Sequence, residues 1–361
     1  MDSRLLDTLN AQASSTRDPI VWARTVCRAS THFARHGMMK EAMKAISVVR
    51  AHYGKETPQE IASWLLLAEG VVHYFKVQTR EAYERISRAY ALAVESKSEF
   101  VLPICAAWLA NIEYYDCSYD SMAIHLEEAI RLAKPDDHQA HARAALTLAD
   151  AYHIAGEYEL ARPWYFKARN RAADDGDTAT LSAMLLNVAA VRASNVRIAD
   201  TFGFESMKEA NRAALEAASS RHYDHAIGTL GLDFLAKILR GVIFTIQKKY
   251  PEAIEMFSEV DTSKLQKQMY SPFYVDMAWC YINQENIDEA NMYYRLAEQT
   301  LQDIAEADDS AYTLSRLSQI SKIRGEPEAE AKYKEQAAEA LKKHRVFQAE
   351  MLLRLNTIFS K

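Results

Sequence analysis

Glycine and proline are both scarce in this sequence. Its 361 residues include 10 glycines and 8 prolines, whereas an average protein has roughly 7% and 5% of them. A sheet protein needs these residues for its many turns, so their scarcity argues against a β-rich fold. The rest of the composition, 49% hydrophobic and 25% charged, is ordinary for a folded soluble protein and excludes disorder as the main state. We therefore predict an all-α protein.

Paired cysteines, a leader and long apolar runs are also missing. The four cysteines are far apart and form no CxxC pair, and a chain of this size does not need disulfides to fold. The first ten residues, MDSRLLDTLN, lack the basic segment and apolar core of a signal peptide. No run approaches the roughly 18 apolar residues of a membrane helix. We expect a cytoplasmic protein with no membrane association.

Basic charge is not in excess. The formal net charge is −6, which argues against a surface for nucleic acid or anionic lipid. The sequence contains no P-loop, no GxGxxG motif and no nucleophile elbow. We therefore expect no cofactor and no enzymatic activity.

Alanine recurs at a fixed interval. Each of six alanines is followed four places on by an apolar or aromatic residue and, usually, seven places on by a small one: Ala42, Ala82, Ala161, Ala253, Ala290 and Ala329. The intervals are 40, 79, 92, 37 and 39 residues, each close to one or two periods of about forty. This periodicity is typical of a repeat array, which offers a binding surface rather than a catalytic pocket.

The clearest repeat carries a recognisable motif. Leu148-Ala149, Tyr152, Gly156, Tyr158, Ala161, Tyr165 and Ala168 fall at the offsets of a tetratricopeptide repeat, and similar sets recur over 241–257 and 278–297. The period of about forty exceeds the family's thirty-four, and it resembles the longer repeats of some bacterial transcription regulators and signalling proteins. The resemblance implies an α-α superhelix, a solenoid of about seven or eight helical hairpins plus a C-terminal capping helix.

The pattern predicts one such domain over residues 1–361. Its parts are an N-terminal helix and linker (1–18), regular repeats (19–168), a diverged region (169–249), regular repeats (250–345) and a capping helix (346–361). In the diverged region no clean partner helix appears over Asn195 to Phe204, and helices are expected over Glu205–Ser219 and Tyr223–Gln247. The capping helix is expected to lay its apolar face, through Met351, Leu355 and Ile358 among others, against the last repeat.

The resemblance also indicates a binding surface. The first helix of each hairpin lines the concave face in this family, and the residues on its free side would contact a ligand: Arg24, Arg28, Trp64, Tyr74, Asn111, Tyr114, Tyr115, Arg143, Asp150 and His153. Aromatic rings together with asparagine and arginine suit a protein or peptide partner. The alternative for each aromatic residue is burial in the packing between helices. A homo-oligomer is possible, but nothing in the sequence supports one.

Asparagine and histidine residues offer other candidate sites. The family's lysine-asparagine-arginine clamp for a terminal carboxylate is not matched, because Asn111 and Asn187 lack their basic companions. His32 and His36, like His222 and His225, have helical spacing without an identifiable third metal ligand. We expect no metal site.

The paired aspartates allow two interpretations. Asp136-Asp137, Asp174-Asp175 and Asp308-Asp309 fall at predicted turns or helix starts, where aspartate caps free N–H groups. Similar pairs bind magnesium diphosphate in helical terpenoid enzymes, which is the enzymatic alternative. The main hypothesis is a scaffold or adaptor. Its rival is the sensory or regulatory region of a bacterial signalling protein, of the transcription-regulator or diguanylate-cyclase type, whose output domain lies outside this chain.

Overall fold

The structure is a computed structural model that describes residues 3–54, 56–229 and 232–359. Within these residues it contains 17 α-helices, three 3-10 helices and no strand. The first nine helices are α1 (Arg4–Ser15), α2 (Pro19–Arg35), α3 (Met39–Tyr53), α4 (Gln59–Phe75), α5 (Thr79–Glu95), α6 (Leu102–Tyr115), α7 (Tyr119–Leu132), α8 (His138–Ile154) and α9 (Tyr158–Asp175). The others are α10 (Thr178–Thr201), α11 (Met207–Ile227), α12 (Asp233–Ile246), α13 (Tyr250–Ser258), α14 (Tyr270–Ile282), α15 (Ile287–Gln299), α16 (Ala307–Ile323) and α17 (Pro327–Phe359). The 3-10 helices are Thr262–Lys264, Lys267–Met269 and Leu301–Asp303.

The chain divides into two compact units. The first unit comprises residues 1–184, 222–232 and 351–361, and the second comprises residues 185–221 and 233–350. Three of the four boundaries between them fall inside α10, α11 and α17, and the fourth falls directly before α12.

Helices follow one another as hairpins, eight of them over the described residues, from α2–α3 to α16–α17. In the first unit α2 packs on α4 and α6 packs on α8. In the second unit α12 packs on α14 and α14 on α16. In these pairs successive hairpins stack through their first helices, and between the second and third hairpins α5 packs on α6, as in a helical-repeat solenoid. The predicted all-α solenoid class and its seven or eight hairpins are confirmed.

Small residues bring the two helices of a hairpin close together. Ala82, Ala161 and Ala253 are fully buried. At Gly241 on α12, an added Cβ would lie 2.5 Å from the Phe257 ring on α13, so not even a methyl group fits there. Gly70 on α4 lies in the same way against Ile86 on α5, so the second helix of its hairpin packs directly on it.

The diverged region is more regular than the sequence indicated. Asn195 belongs to α10, which continues unbroken to Thr201, and α11 pairs with it. In the second unit the Arg192 guanidinium on α10 lies 2.5 Å from Glu209 and 2.7 Å from Glu216, both on α11. The helix expected over Glu205–Ser219 is therefore present as α11, and it is the partner of α10.

The expected helix over Tyr223–Gln247 is wrong. Its first residues complete α11, and Gly228 follows that helix with a φ of +66°, a left-handed conformation that glycine adopts without steric cost. A new helix, α12, begins at Asp233. Leu230 and Gly231 lie outside the described residues.

The chain does not end in a separate capping helix as expected, because α17 is one continuous helix of 33 residues. Its final turns belong to the first unit, where the Phe359 ring lies 6.2 Å from the Trp164 ring on α9. Arg354 lies 2.7 Å from Asp120 on α7. These turns therefore contact α7 and α9 rather than the last repeat. The side chain of Ile358, and Ser360 and Lys361, lie outside the described residues.

Ion pairs close the first unit on itself. The Arg28 guanidinium on α2 lies 3.1 Å from Asp175 at the end of α9. Arg35, also on α2, lies 2.7 Å from Asp177, which directly precedes α10. Arg4 on α1 donates a 2.9 Å hydrogen bond to the backbone carbonyl of Asp174. The hairpins from α2 to α9 thus curve until their two ends meet.

Asp177 is the centre of this closure and is 1% exposed. Its carboxylate accepts hydrogen bonds from the Thr180 backbone N–H at 3.1 Å and from the Thr180 hydroxyl at 2.7 Å. Burial by itself raises the pKa of the Asp177 carboxyl, but Arg35 and His32 outweigh it and hold that pKa well below its ordinary value. Asp177 is therefore ionised in the folded protein.

We predict that Ala161→Glu lowers the melting temperature sharply. The substitution places a charged side chain in a fully buried hairpin contact, which costs several kcal/mol through overpacking and desolvation. Leu160→Glu is the matched control, because Leu160 is 43% exposed on the same turn of α9. Circular-dichroism melts of both variants check the prediction, and equal melting temperatures for the two would show that the assigned register is wrong.

We predict that Asp177→Asn destabilises the protein in a pH-dependent way. Removing the carboxylate leaves the buried Arg35 cation unpaired, at a cost of about 3–5 kcal/mol. Because the folded-state pKa of Asp177 is lowered, its stabilising contribution is complete above the unfolded value of about 4 and is lost as the pH falls below that value. Urea unfolding of wild type and variant at pH 7 and below pH 4 measures the difference, which should shrink with acidification. The exposed Asp136, changed to asparagine, is the control and should show no such trend.

Candidate functional site

Side chains from three first helices meet inside the first unit. The Arg143 guanidinium on α8 lies over the Trp108 ring on α6, 4.1 Å from its centroid. The Tyr74 ring on α4 packs edge-on against the same tryptophan, at 5.6 Å. The Asn111 amide, one turn beyond Trp108 on α6, donates a 3.2 Å hydrogen bond to the Tyr74 hydroxyl. Because α4, α6 and α8 are the first helices of successive hairpins, the fold brings these groups together from distant parts of the sequence.

The predicted binding residues divide by exposure. Six of the ten are at most 8% exposed: Trp64, Asn111, Tyr114, Arg143, Asp150 and His153. Arg24, Arg28 and Tyr74 are partly buried, and Tyr115 is 36% exposed. The interior face is therefore largely closed by its own side chains, with Tyr115 at its accessible edge. The role of these residues in binding stays a prediction.

Asp150 and His153 belong to a hydrogen-bonded cluster between α8 and α9. The Tyr165 hydroxyl on α9 donates to Asp150 at 2.7 Å and lies 3.1 Å from Nδ1 of His153. Burial and the Asp150 charge raise the pKa of Tyr165 well above its ordinary value. The phenol thus stays protonated and ties the two helices of this hairpin together.

Arg24 and Arg28 lie on the inward side of α2. The Arg24 guanidinium is 4.4 Å from the centroid of the Phe100 ring, and burial followed by the Arg28 charge lowers its pKa. Arg28 donates to Gln139 on α8 at 3.2 Å in addition to its pairing with Asp175. These contacts line the interior next to the closing ion pairs.

Arg143 has a different electrostatic setting. It is 8% exposed and forms no ion pair with any carboxylate of the described residues. Burial, and then the neighbouring charge of Arg35, lower the pKa of Arg143 to about 10. The guanidinium is still a cation at neutral pH, and it lies on the face of the Trp108 ring, shielded from water.

Two buried arginines of the second unit, Arg197 and Arg316, also lie on aromatic rings, and both are paired with aspartate. Arg197 on α10 is 4.1 Å from the Tyr312 ring centroid and pairs with Asp309 and, at 3.9 Å, with Asp276. Arg316 on α16 is 4.4 Å from the Trp279 ring centroid and 2.5 Å from Asp200. No candidate residue was predicted in this unit. The available signal was the recurrence of arginine and aromatic residues on its first helices.

His32 and His36, considered above as metal ligands, have other partners. His32 hydrogen-bonds with Ser3 at 2.9 Å and His36 with Thr178 at 3.2 Å. Burial and the neighbouring His32 lower the pKa of His36 to about 3, so this ring is neutral. Over the part of the chain that the structure describes, no group of three histidines, cysteines or acidic residues could hold a metal ion.

The paired aspartates have several roles. Asp137 caps α8 by accepting from the Ala140 N–H at 3.1 Å, as the capping interpretation predicts. Asp175 instead pairs with Arg28, and Asp309 with Arg197. Asp308 accepts a 3.1 Å hydrogen bond from the Ser194 hydroxyl. The aspartates of these turns therefore serve as ion-pair partners as well as caps.

None of the helices that the structure describes is both long and apolar enough to cross a membrane.

Comparison with known proteins gives a likeness of fold. No protein-family model and no curated protein sequence matches the chain. A crystal structure of a Rap protein complexed with competence and sporulation factor is similar to it with a TM-score of 0.57 at 13% identity, over 96% of this chain and 92% of that one. The apo form of RapI is similar with a TM-score of 0.46 at 15% identity, over 78% of this chain and 98% of that one. The first likeness agrees with the helical-repeat fold that the tetratricopeptide resemblance predicts.

Proposed function

We propose that this protein is a binding module for a protein or peptide, which it holds on the inward faces of the first helices. The observation that carries the proposal is the convergence of Arg143, Trp108, Tyr74 and Asn111 inside the first unit. Aromatic rings supply apolar contact area, while the guanidinium and the amide orient a polar backbone or side chain. The similarly folded Rap protein, solved with competence and sporulation factor, supports the same use of this architecture.

The accessible edge of this surface indicates where a ligand first makes contact. Tyr115 is 36% exposed at the end of α6, and its ring lies 5.0 Å from that of Tyr114. An exposed aromatic side chain beside a buried polar interior is a typical anchor for a partner, because it adds buried area with little loss of conformational freedom. A peptide that enters at Tyr115 would approach the Arg143 region from there.

A finer version of the proposal is a sensory or regulatory region. The repeats of about forty residues resemble those of bacterial transcription regulators and signalling proteins, and in that case binding would be transmitted to an output domain outside this chain. A longer natural chain that carries such a domain decides between this role and that of a free-standing adaptor.

We predict that Tyr115→Ala weakens binding of peptides selected by the wild-type protein. The probe is a synthetic library of random octapeptides, from which wild-type protein captures binders that mass spectrometry identifies. Truncating an aromatic anchor costs about 1–2 kcal/mol, so the Kd should rise roughly tenfold while the melting temperature stays within about 2 °C.

Tyr83→Ala is the matched control for this experiment. Tyr83 is 40% exposed on α5, a second helix of a hairpin, so its truncation should leave the Kd unchanged. If Tyr83→Ala weakens binding and Tyr115→Ala does not, the ligand lies on the outer helices and the proposed surface is wrong.

A further inference from the structure

Arg143 is a buried cation that has no counter-ion among the described residues. It is 8% exposed, it lies on Trp108, and no described carboxylate is close enough to form an ion pair with it. The carboxylate of Asp177 acts on it from a distance but is bound directly by Arg35. Burying a charge without a partner lowers the stability of the folded protein. The water-exposed arginines of this chain avoid that loss because water solvates them.

The second unit contains buried arginines on aromatic rings that do have a carboxylate partner. Arg197 and Arg316 also lie on aromatic rings, and each is paired with aspartate. All three arginines share burial and an aromatic platform. Arg197 and Arg316 direct the N–H edge of the guanidinium at an aspartate. Arg143 has the same edge, but no described carboxylate accepts from it.

We infer that Arg143 binds a carboxylate of the peptide ligand, with Trp108 beneath the guanidinium and Tyr74 beside it. This inference rests on the proposed function and names the ligand group. The Tyr74 hydroxyl accepts from Asn111, and its own proton has no acceptor among the described residues, so it can donate to the same carboxylate. Burial raises the pKa of Tyr74, which keeps that donor protonated.

The charge of the site selects a carboxylate over a phosphate. One guanidinium with one phenol donor matches a single negative charge. The nearby Arg35 cation is already neutralised by Asp177 at 2.7 Å, so it is not available for the second charge of a phosphate. The aspartates that complete Arg197 and Arg316 show that a carboxylate fits this geometry.

The test uses octapeptides with free C-termini, captured by the wild-type protein from a random library. Each is resynthesised with one carboxylate neutralised at a time, by C-terminal amidation, Asp→Asn or Glu→Gln. We expect one of these changes to raise the wild-type Kd by about 10–100-fold, and its position shows whether the C-terminus or an acidic side chain binds Arg143. Arg143→Met should raise the Kd of the unmodified peptide by a similar factor and barely affect the neutralised one, since the two changes remove the same interaction.

Arg88→Met is the control variant, because Arg88 is exposed on α5 and its loss should leave every Kd unchanged. If Arg143→Met and carboxylate neutralisation weaken binding independently of each other, or Arg143→Met binds the acidic peptide as wild type does, the inference is overturned while the proposed function stands.

A second measurement needs no peptide. Sodium acetate at 100 mM should raise the melting temperature of wild type above its value in equal sodium chloride, and should not do so for Arg143→Met. If no peptide is captured but this difference is seen, the proposed function fails and the carboxylate site stands. If neither is seen, both are overturned.

Stability distinguishes an uncompensated arginine from a paired one. Without ligand, Arg143→Met should melt at or above the wild-type temperature, because it removes a buried charge that has no partner. Arg197→Met should melt lower by about 6 °C or more, because it leaves Asp309 and Asp276 without their cation. An equally large loss for Arg143→Met means that Arg143 already has a partner within the protein, and the inference is then wrong.

Discussion

Charge pairing between the two ends of the first unit determines what its interior can do. Arg28–Asp175 and Arg35–Asp177 connect α2 with the α9–α10 junction across more than 140 residues of sequence. Once these ends meet, the free sides of the first helices face one another instead of water. Each polar group on them must then find a partner in the protein or bear the cost of desolvation. The interior accordingly contains a network of hydrogen bonds and ion pairs.

Arginine is well suited to such an interior. Its guanidinium is planar and less strongly hydrated than the ammonium of lysine, so it stacks on a ring and still hydrogen-bonds at its edge. Arg143 on Trp108, Arg197 on Tyr312 and Arg316 on Trp279 all follow this pattern. The aromatic ring supplies the contact area, and the edge of the guanidinium fixes direction. In the second unit, aspartates pair with the guanidinium edges of Arg197 and Arg316, whereas no described carboxylate of the first unit pairs with Arg143.

The sequence predicts the hairpins well because their signals are local. The spacing that places Ala161 against α8 is complete within one repeat. The prediction failed at Tyr223–Gln247, where apolar spacing continues past Gly228 although the backbone turns there. The closing ion pairs and the contact of Phe359 with Trp164 join distant residues and leave no local pattern. For this reason the sequence could place Trp64 and Asn111 on the first helices, but could not show that their surroundings are closed.

Because Arg143 is already buried in the free protein, the site can select ligands that carry a carboxylate. The guanidinium is already desolvated and held over Trp108, so the cost of ordering it is met during folding and not during binding. A carboxylate that reaches it replaces an unpaired charge by a charge-assisted hydrogen bond in a low-dielectric place, where that bond is stronger than in water. A neutral ligand of the same shape would leave the cation unpaired and lose that gain. The site therefore discriminates between an acid and its amide because Arg143 has no described carboxylate partner in the free protein. This discrimination requires no rearrangement of the Arg143 side chain.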